Sequence, residues 1–190
     1  MAEVIMPLFS RLESTKNLIA SDLYRHTGNI RLKSFLSTYV LSPGFNFTVW
    51  FRLCSEFNSA LLKYILLRKR IRFGIDIYAK TRIDKGFYIG HFGTIIVSSH
   101  ATIGKNCNIS QGVTIGKISK GNRAGAPVIG NGVYIGPGAK LIGCIRIGNN
   151  VAIGANAVII NDVPDNAVVV GIPGKVVSLN GASDYLDNVI

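Results

Sequence analysis

Histidine is the side chain in this sequence best suited to proton transfer near neutral pH. The 190 residues include three histidines, and His91 follows an Ile-Gly pair in the stretch IGHFGTIIVSSHATIG, residues 89–104. A neutral imidazole can take a proton from a hydroxyl group as that group attacks a substrate. The alternative is that His91 is a surface residue of a repetitive scaffold. Its role therefore depends on the elements that position it.

An aliphatic residue recurs every six positions through the second half of the chain, with two interruptions of phase. The members are Ile77, Ile83, Ile89, Ile95, Ile103, Ile109, Ile115, Ile129, Ile135, Leu141, Ile147, Ile153 and Ile159. A period of six fits short strands separated by corners, and three such sides close a coil of roughly 18 residues. The aliphatic side chains then point inward and stack on the next coil about 4.8 Å away. The pattern predicts a parallel β-helix over residues 76–178.

The two interruptions predict irregular segments on this scaffold. One lies between Ile95 and Ile103, just after His91. The other, KISKGNRAGAP at 117–127, is rich in Gly and Lys and lacks a stacking aliphatic residue. It is expected to project as a loop, and loops on rigid scaffolds tend to carry binding groups.

The segments on either side of the repeat predict two further regions. Residues 1–75 are expected to be α-helical, since residues 8–27 and 45–72 carry mixed apolar and basic side chains without a period of two. In the stretch 47–74, apolar residues recur at helical spacing up to Gly74. The latter segment predicts one or two helices. The prolines of residues 163–178 are expected to end the coil. Residues 179–190 are expected to form a frayed or loosely docked C-terminal tail.

Charge is strongly biased to the basic side, with a formal net charge of +11. Residues 1–86 hold 14 of the 21 Lys and Arg but 6 of the 10 Asp and Glu, an excess of 14 − 6 = 8. Such a surface favours an anionic partner, with solubility alone as the alternative. LLRKRIR (66–72) predicts peripheral contact with an anionic membrane, or a solvated helix end. The repeats contain no aromatic-plus-basic motif, so no nucleic-acid partner is expected.

Cysteine usage and hydropathy predict a cytoplasmic protein without a metal site. The three cysteines (Cys54, Cys107 and Cys144) have no metal-ligand spacing, and the first residues contain no secretory leader. Residues 34–51, a long uncharged stretch, are broken by Pro43, Gly44 and Asn46 and cannot form a membrane span. Metal chemistry on a β-helix would need three histidines in the repeats, which hold two, His91 and His100.

Several stretches together resemble the serine acetyltransferase family of hexapeptide acyltransferases, and more narrowly its short members in surface-polysaccharide gene sets. They are DIYAKTRIDKGFYIGHFGTIIVSSHATIGKNCNISQGVTIG, APVIGNGVYIGPGAKLIG and VPDNAVVVGIPGKVV. The resemblance covers about residues 45–178. It implies a mainly β protein with a left-handed parallel β-helix, acetyl-CoA as the acetyl donor and a hydroxyl acceptor. It also implies a homotrimer with sites at subunit clefts, and leaves open whether trimers pair through the N-terminal helices.

The same resemblance assigns catalytic roles to His91 and Asp76. The stretches HFGT and DIYA take the places of the family's HATG and DIHP. The histidine is implied to be the general base for the attacking hydroxyl, and the carboxylate to orient it and stabilise the imidazolium. Because the two residues are 15 positions apart on an 18-residue coil, they are expected on adjacent coils.

Binding of CoA is implied along the late coils. The matching backbone stretches contain Gly136, Pro137, Gly154 and Ala155. Near the C-terminal end of the coil, Lys175 is the candidate for a CoA phosphate. Lys140 and Lys117 are weaker candidates.

Three departures from the family pattern bear on the acceptor. Gly90 stands where serine-specific members have Asp, Ala126 stands where they have a second His, and the helical region is shorter. The missing groups are ones that would bind a zwitterionic amino acid. The sequence therefore predicts an acetyl-CoA-dependent O-acetyltransferase acting on a sugar hydroxyl of a surface-polysaccharide precursor.

Two residues are candidates for contact with the acceptor. Arg123 lies in the projecting loop, and Asp22 in SDLYRHTG weakly matches an acceptor-contacting Asp of the family, with a helix N-cap as its alternative role. Two other functions remain open. One is an L-serine O-acetyltransferase of cysteine biosynthesis, and the other is a non-catalytic β-helix scaffold or binding module.

Overall fold

The computed structural model describes residues 8–57 and 59–190, so the prediction about a leader in the first seven residues lies outside the described part. Four helices come first: α1 (Leu8–Thr27), α2 (Leu32–Leu41), α3 (Pro43–Phe57) and α4 (Ala60–Phe73). α3 and α4 are the helices predicted before Gly74, which ends α4 in the left-handed conformation at φ +61°. α2 lies within the region 1–75 that was expected to be helical, but it was not predicted as a separate helix. None of the helices in the described ranges is long and apolar enough to cross a bilayer.

Short strands follow from Ile75 to Ser178 and form a left-handed parallel β-helix, as predicted. The strands are β1 (Ile75–Ile77), β2 (Arg82–Ile83), β3 (Tyr88–Ile89), β4 (Ile95–Val97), β5 (Thr102–Ile103), β6 (Asn108–Ile109), β7 (Thr114–Gly116), β8 (Val128–Ile129), β9 (Tyr134–Ile135), β10 (Lys140–Ile142), β11 (Arg146–Ile147), β12 (Ala152–Ile153), β13 (Val158–Ile159), β14 (Val168–Val170) and β15 (Lys175–Ser178).

Three sheets form the sides of the resulting prism. The first sheet is β1-β4-β7-β10-β13, the second is β2-β5-β8-β11, and the third is β3-β6-β9-β12-β14-β15. Neighbouring strands pair in parallel, except that β15 turns back antiparallel to β14. Consecutive strands thus occupy successive sides of one coil.

The interior of the prism is the predicted stack of aliphatic residues. All thirteen are buried except Ile83, which packs half-buried against the same core. The smaller side chains beside the stack are buried too: Cys107, Val113, Val133, Ala139, Val151 and Ala157. Burying one isoleucine contributes about 1.5–3 kcal/mol, so the stack is the main source of stability in this region.

Helix α3 caps the first coil and approaches it very closely. Phe47 and Phe51 are fully buried in the core that the coils share. Gly44, in the first turn, lies so near the first coil that an added Cβ would clash with the carbonyl oxygen of Ile89. Only glycine permits this approach, which fixes the helix two residues before His91.

A buried ion pair joins α1 and α3 to the first coil. Arg52 donates from Nε to Oδ2 of Asp22 at 2.9 Å and from Nη2 to Oδ1 at 3.1 Å. Oδ1 of Asp22 also accepts from the backbone N–H of Phe87 at 2.8 Å. Arg52 donates further to the carbonyl oxygens of residues 83 and 84. Asp22 lies inside α1 and is therefore not a helix N-cap.

Residues 179–190 are docked and not frayed. Ala182 is completely buried, and the ring of Tyr185 stacks on Tyr134 of the third sheet at a centroid distance of 4.8 Å. Nδ2 of Asn106 donates to the backbone oxygen of Ile190 at 2.7 Å. The segment therefore covers the outer surface of the third sheet.

Candidate active site

His91 lies in an enlarged corner between the third and first sheets. In the ladder of the first sheet, Val97 pairs with Ile77 on one side and Ile115 on the other. The paired inward residues on either side of this corner, Ile89 and Val97, are therefore eight positions apart. The equivalent pairs in later coils, such as Ile109 and Ile115, are six positions apart. The two extra residues lie in the corner that contains His91, and not after Ile95 as the sequence analysis expected. That analysis misplaced them because Ile95 also points inward and continues the period of six.

The exposed His91 corner is held by aromatic packing. Phe92 meets Phe73, the last residue of α4, edge to face at 6.1 Å. Thr94 takes a left-handed backbone conformation with φ 52°, which turns the chain into β4. The corner thus presents His91 to solvent on a supported turn.

Asp76 is the outward-facing residue of β1, and its carboxylate is held by an arginine. Oδ1 accepts from Nε of Arg70 at 3.0 Å and from a second nitrogen of the same guanidinium. The guanidinium also lies over the ring of Tyr78, 3.8 Å from its centroid. The Asp76 side chain remains 47% exposed, so this fixed carboxylate is accessible.

The backbone brings the segments of Asp76 and His91 together. Gly74, two positions before Asp76, accepts a hydrogen bond from the N–H of Ile95 at 2.9 Å. A Cβ on Gly74 would lie 3.3 Å from Cα of Gly93, two positions after His91. The described residues contain no hydrogen bond between the two side chains, and those to Asp76 end on Oδ1. Orientation of His91 by Asp76 stays a prediction.

Tyr88 is a polar residue beside Gly90, the residue before His91, that the sequence analysis missed. A Cβ added to Gly90 would lie 3.0 Å from Cε1 of Tyr88 and 3.4 Å from its hydroxyl oxygen. The phenol thus occupies space beside residue 90. The sequence could have indicated this proximity, because Tyr88 and Gly90 are two positions apart on one strand and so face outward on the same side of the third sheet.

His26, at the end of α1, packs on the ring of Tyr88 with centroids 4.4 Å apart. Its Nε2 is buried without a partner among the described residues. Burial, helped by the neighbouring Arg25 charge, lowers the pKa of His26 to about 4 from its ordinary value of 6.5. The imidazole is therefore neutral in the folded protein at neutral pH.

This depressed pKa predicts a loss of stability in mild acid. Between about pH 6.5 and pH 4, His26 is protonated in the unfolded chain but stays neutral in the folded chain. The free energy of unfolding therefore falls as the pH falls. The full loss is about 3 kcal/mol. Urea unfolding at pH 7.5 and pH 4.5 should show wild type losing more stability than His26→Phe. The exposed control His100→Gln should behave like wild type, and equal losses in wild type and His26→Phe would contradict the assignment.

The proposed CoA backbone positions lie on the same edge of the prism as His91. We call this the His91 edge; its turns are residues 90–94, 110–113, 136–139, 154–157 and 171–174. Backbone bonds link them coil to coil, for example Gly112 N to Gly93 O at 3.0 Å and Asn156 N to Pro137 O at 2.8 Å. With coils about 4.8 Å apart, Ala155 lies roughly 14 Å along the axis from His91.

The candidate lysines differ in availability. Lys175 is exposed on β15 at the last coil of the His91 edge. Lys140 has its ammonium engaged, donating to the carbonyl oxygen of Gly112 and to Oγ1 of Thr114. Lys117 is exposed at the start of the projecting loop, away from this edge. Lys175 is therefore the best placed of the three.

Neither acceptor candidate forms a hydrogen bond with His91 in the described part of the chain. Arg123 is in the 117–127 loop, a hairpin closed between Ile118 and Gly125 at the corner of the first and second sheets. Its guanidinium donates to the carbonyl oxygen of Ile160. Asp22 is fully buried and bonded to Arg52 and Phe87. An acceptor role for either residue stays a prediction.

Metal-ligating side chains are scattered in the described chain. Within residues 8–57 and 59–190, no group of three or more His, Cys, Asp and Glu side chains is placed to hold an ion. Cys54 and Cys107 are buried as free thiols, while Cys144 is exposed.

The sequence is similar to that of a known protein family and to several characterised proteins. Residues 126–161 match the bacterial transferase hexapeptide family, described by six repeats. A serine acetyltransferase of Synechococcus elongatus is 40% identical over 120 residues, covering 63% of this chain and 49% of that protein. One from Staphylococcus aureus strain Mu50 is 38% identical over 138 residues, covering 70% of this chain and 65% of that protein. The chain therefore spans about half of the first of these curated relatives and less than two thirds of the second.

Solved structures agree with the sequence comparison. The crystal structure of Neisseria gonorrhoeae serine acetyltransferase in complex with serine superposes with a TM-score of 0.72 at 30% identity. The match covers 90% of this chain and 72% of that one.

These comparisons overturn the predicted sugar acceptor and the surface-polysaccharide pathway, which are wrong. The relatives at 38–40% identity and the structural neighbours are serine acetyltransferases. The prediction relied on polar groups missing at positions 90 and 126. The structure shows why such an absence is weak evidence: the hydroxyl of Tyr88 lies beside residue 90.

Proposed function

We propose that this chain, which belongs to the serine acetyltransferase family of hexapeptide-repeat acyltransferases, transfers the acetyl group of acetyl-CoA to the hydroxyl of L-serine. The alignment of His91 with the CoA candidate positions along one edge supports this proposal most directly. A long, thin donor laid along that edge would place its thioester at the enlarged corner. The relatives named above support serine as the acceptor.

His91 is the general base in this mechanism. Its neutral imidazole takes the proton of the serine hydroxyl while the oxygen attacks the thioester carbonyl carbon. The tetrahedral intermediate then collapses, the C–S bond breaks, and the imidazolium returns the proton to the departing sulfur. The products are O-acetylserine and CoA. Exposure of His91 on a supported turn leaves room for both substrates.

Asp76 orients that imidazole. Arg70 occupies Oδ1, which leaves Oδ2 to accept from the second ring nitrogen of His91. Such a bond sets the tautomer with the unprotonated nitrogen towards the acceptor and stabilises the imidazolium. Arg70 fixes the carboxylate and so acts as a positioning residue.

Donor and acceptor contacts are assigned to different parts of the molecule. Gly136, Pro137, Gly154 and Ala155 form a surface with few side chains against which the pantetheine arm lies. The exposed Lys175 binds a CoA phosphate at the end of the same edge. Arg123 reaches an acceptor through a neighbouring subunit, because a homotrimer sets the projecting loop of one protomer against the His91 edge of the next.

The proposed acceptor predicts a selective thiol release. Incubated with acetyl-CoA, the protein should liberate free CoA much faster with L-serine than without an acceptor, since direct transfer needs the hydroxyl in place. D-serine and L-alanine are matched controls: the first has the hydroxyl on the wrong hand and the second lacks it. Detection of O-acetylserine by mass spectrometry identifies the product. Release at the same rate with L-alanine would contradict acetyl transfer to serine.

A further inference from the structure

Helix α4 is apolar on two opposite faces. Its inner face places Leu66 in the core, with Leu62 and Phe73 packed against it. Its outer face carries large apolar side chains that remain in solvent: Leu61 at 67% exposure, Tyr64 at 60%, Leu67 at 44% and Ile71 at 69%. A helix on the surface of a soluble protein normally has polar residues on its outer side.

The four exposed side chains form one stripe. Steps of three or four residues separate them, so they lie one above another along the helix. A continuous apolar stripe of this length marks a surface that is covered in use. We call the stripe, together with the basic residues Lys63, Arg68 and Arg72, the α4 outer face.

The basic residues indicate what covers it. Lys63, Arg68 and Arg72 are exposed, and in the described chain they form no ion pair. Helix α4 contains no acidic residue at all. A position in the last turn explains Arg72 through the helix dipole, but it explains neither Lys63 in the first turn nor the apolar stripe.

We propose that the α4 outer face binds the surface of a membrane that contains anionic lipids. An apolar stripe beside basic side chains is what a helix needs to lie in the interfacial plane, with the stripe among acyl chains and the cations at lipid phosphates. The helix is held parallel to that plane by its buried inner face. No part of the chain need cross the bilayer.

A second copy of the chain fits this surface less well. Two α4 outer faces packed together would bring six cations into contact, a like-charge arrangement that disfavours association. Another surface of a second copy could cover the apolar stripe but offers few carboxylates for the flanking cations, because the chain has 10 acidic residues against 21 basic ones. Anionic lipid supplies the missing charge in excess.

Membrane binding through this face would bring the candidate active site close to the lipid. Leu67 and Ile71 line a cavity of about 340 Å³ that also contains Arg70, Asp76 and Ile96. The helix therefore joins the membrane surface to the wall beside the catalytic carboxylate. This consequence does not depend on which acceptor the enzyme uses.

The experiment is co-sedimentation of the full chain with vesicles of phosphatidylcholine alone, or of phosphatidylcholine with 40% phosphatidylglycerol. We expect binding to the anionic vesicles, at least tenfold weaker binding to the neutral ones, and weakening by 0.5 M salt. The variants Leu67→Ser/Ile71→Ser and Arg68→Gln/Arg72→Gln should each reduce binding to anionic vesicles at least tenfold. Circular dichroism establishes that each variant is folded.

Matched controls locate the surface. Leu36→Ser/Val40→Ser removes equally exposed apolar groups from α2, and Lys105→Gln/Arg146→Gln removes two cations from the β-helix; both should bind anionic vesicles like wild type. Three results would overturn the proposal: no binding to anionic vesicles, equal binding to neutral vesicles, or equal losses in the α2 and α4 variants. A fall in molar mass of the vesicle-free Leu67→Ser/Ile71→Ser protein, with vesicle binding unchanged, would assign the face to a second copy.

Discussion

Replacement of His91 by alanine should lower kcat for acetyl transfer by about 10²–10⁴-fold, the usual contribution of a general base. The variant should keep its fold, because the His91 side chain is exposed and the corner is held by Phe92 against Phe73. KM for acetyl-CoA should change little, since the donor contacts are assigned to later coils. Thiol release with L-serine, followed from pH 5.5 to 9, measures both parameters.

His100→Ala is the matched control for that experiment. His100 is another exposed histidine of the β-helix, on a turn after β4, where its ring nitrogen lies 3.4 Å from Oγ of Ser99. Its loss should leave kcat within about twofold, as expected for a group outside the reaction. If His91→Ala retained full acceptor-dependent thioester cleavage, the proposed mechanism would be wrong, although the fold would stand.

Replacement of Asp22 by alanine should destabilise the protein by about 3–5 kcal/mol, because it leaves the buried Arg52 without its counter-charge. Arg52 is 3% exposed and Asp22 is completely buried, so water cannot replace the lost carboxylate. In thermal unfolding this corresponds to a fall in Tm on the order of 10 °C for a chain of this size. The exposed Glu13→Ala, on the same helix, should change Tm by only about 1–2 °C.

A double variant keeps this prediction testable if Asp22→Ala does not fold. Asp22→Leu/Arg52→Met replaces both charges with apolar groups and should be more stable than Asp22→Ala, since no unpaired charge remains. Equal Tm values for Asp22→Ala and Glu13→Ala would contradict the structural role. A rise in KM for L-serine, at a temperature where Asp22→Ala is folded, would instead favour the acceptor role implied by the family resemblance.

The repeat could be predicted from sequence because each coil has the same local pattern of residues. An inward aliphatic residue every six positions specifies side, direction and spacing without knowledge of distant residues. The same regularity misplaced one detail: Ile95 keeps the period of six, yet Val97 takes the paired position opposite Ile115. Periodicity cannot distinguish two inward residues on the same strand.

Side-chain partners that depend on how the helices dock were beyond the sequence analysis. That Arg70 holds Asp76, and Arg52 holds Asp22, depends on how α4 and α3 dock, and no local pattern encodes those partners. Helix α2 was missed because Phe35 and Tyr39 pack against the core of the helical region while its other apolar side chains remain exposed, so apolar residues occur on more than one of its faces. The docking of residues 179–190 likewise depends on Tyr134 and Asn106, which are far away in the sequence.

The two additional residues in the His91 corner show that a β-helix can change the length of one corner without changing the packed interior. The ladder regains its register at Val97, so the insertion reshapes one rim and leaves every other layer undisturbed. Natural variation can therefore lengthen or shorten single corners to re-aim a reactive group while inheriting an unaltered interior. Modularity of this kind makes the scaffold tolerant of change at the rim where chemistry takes place.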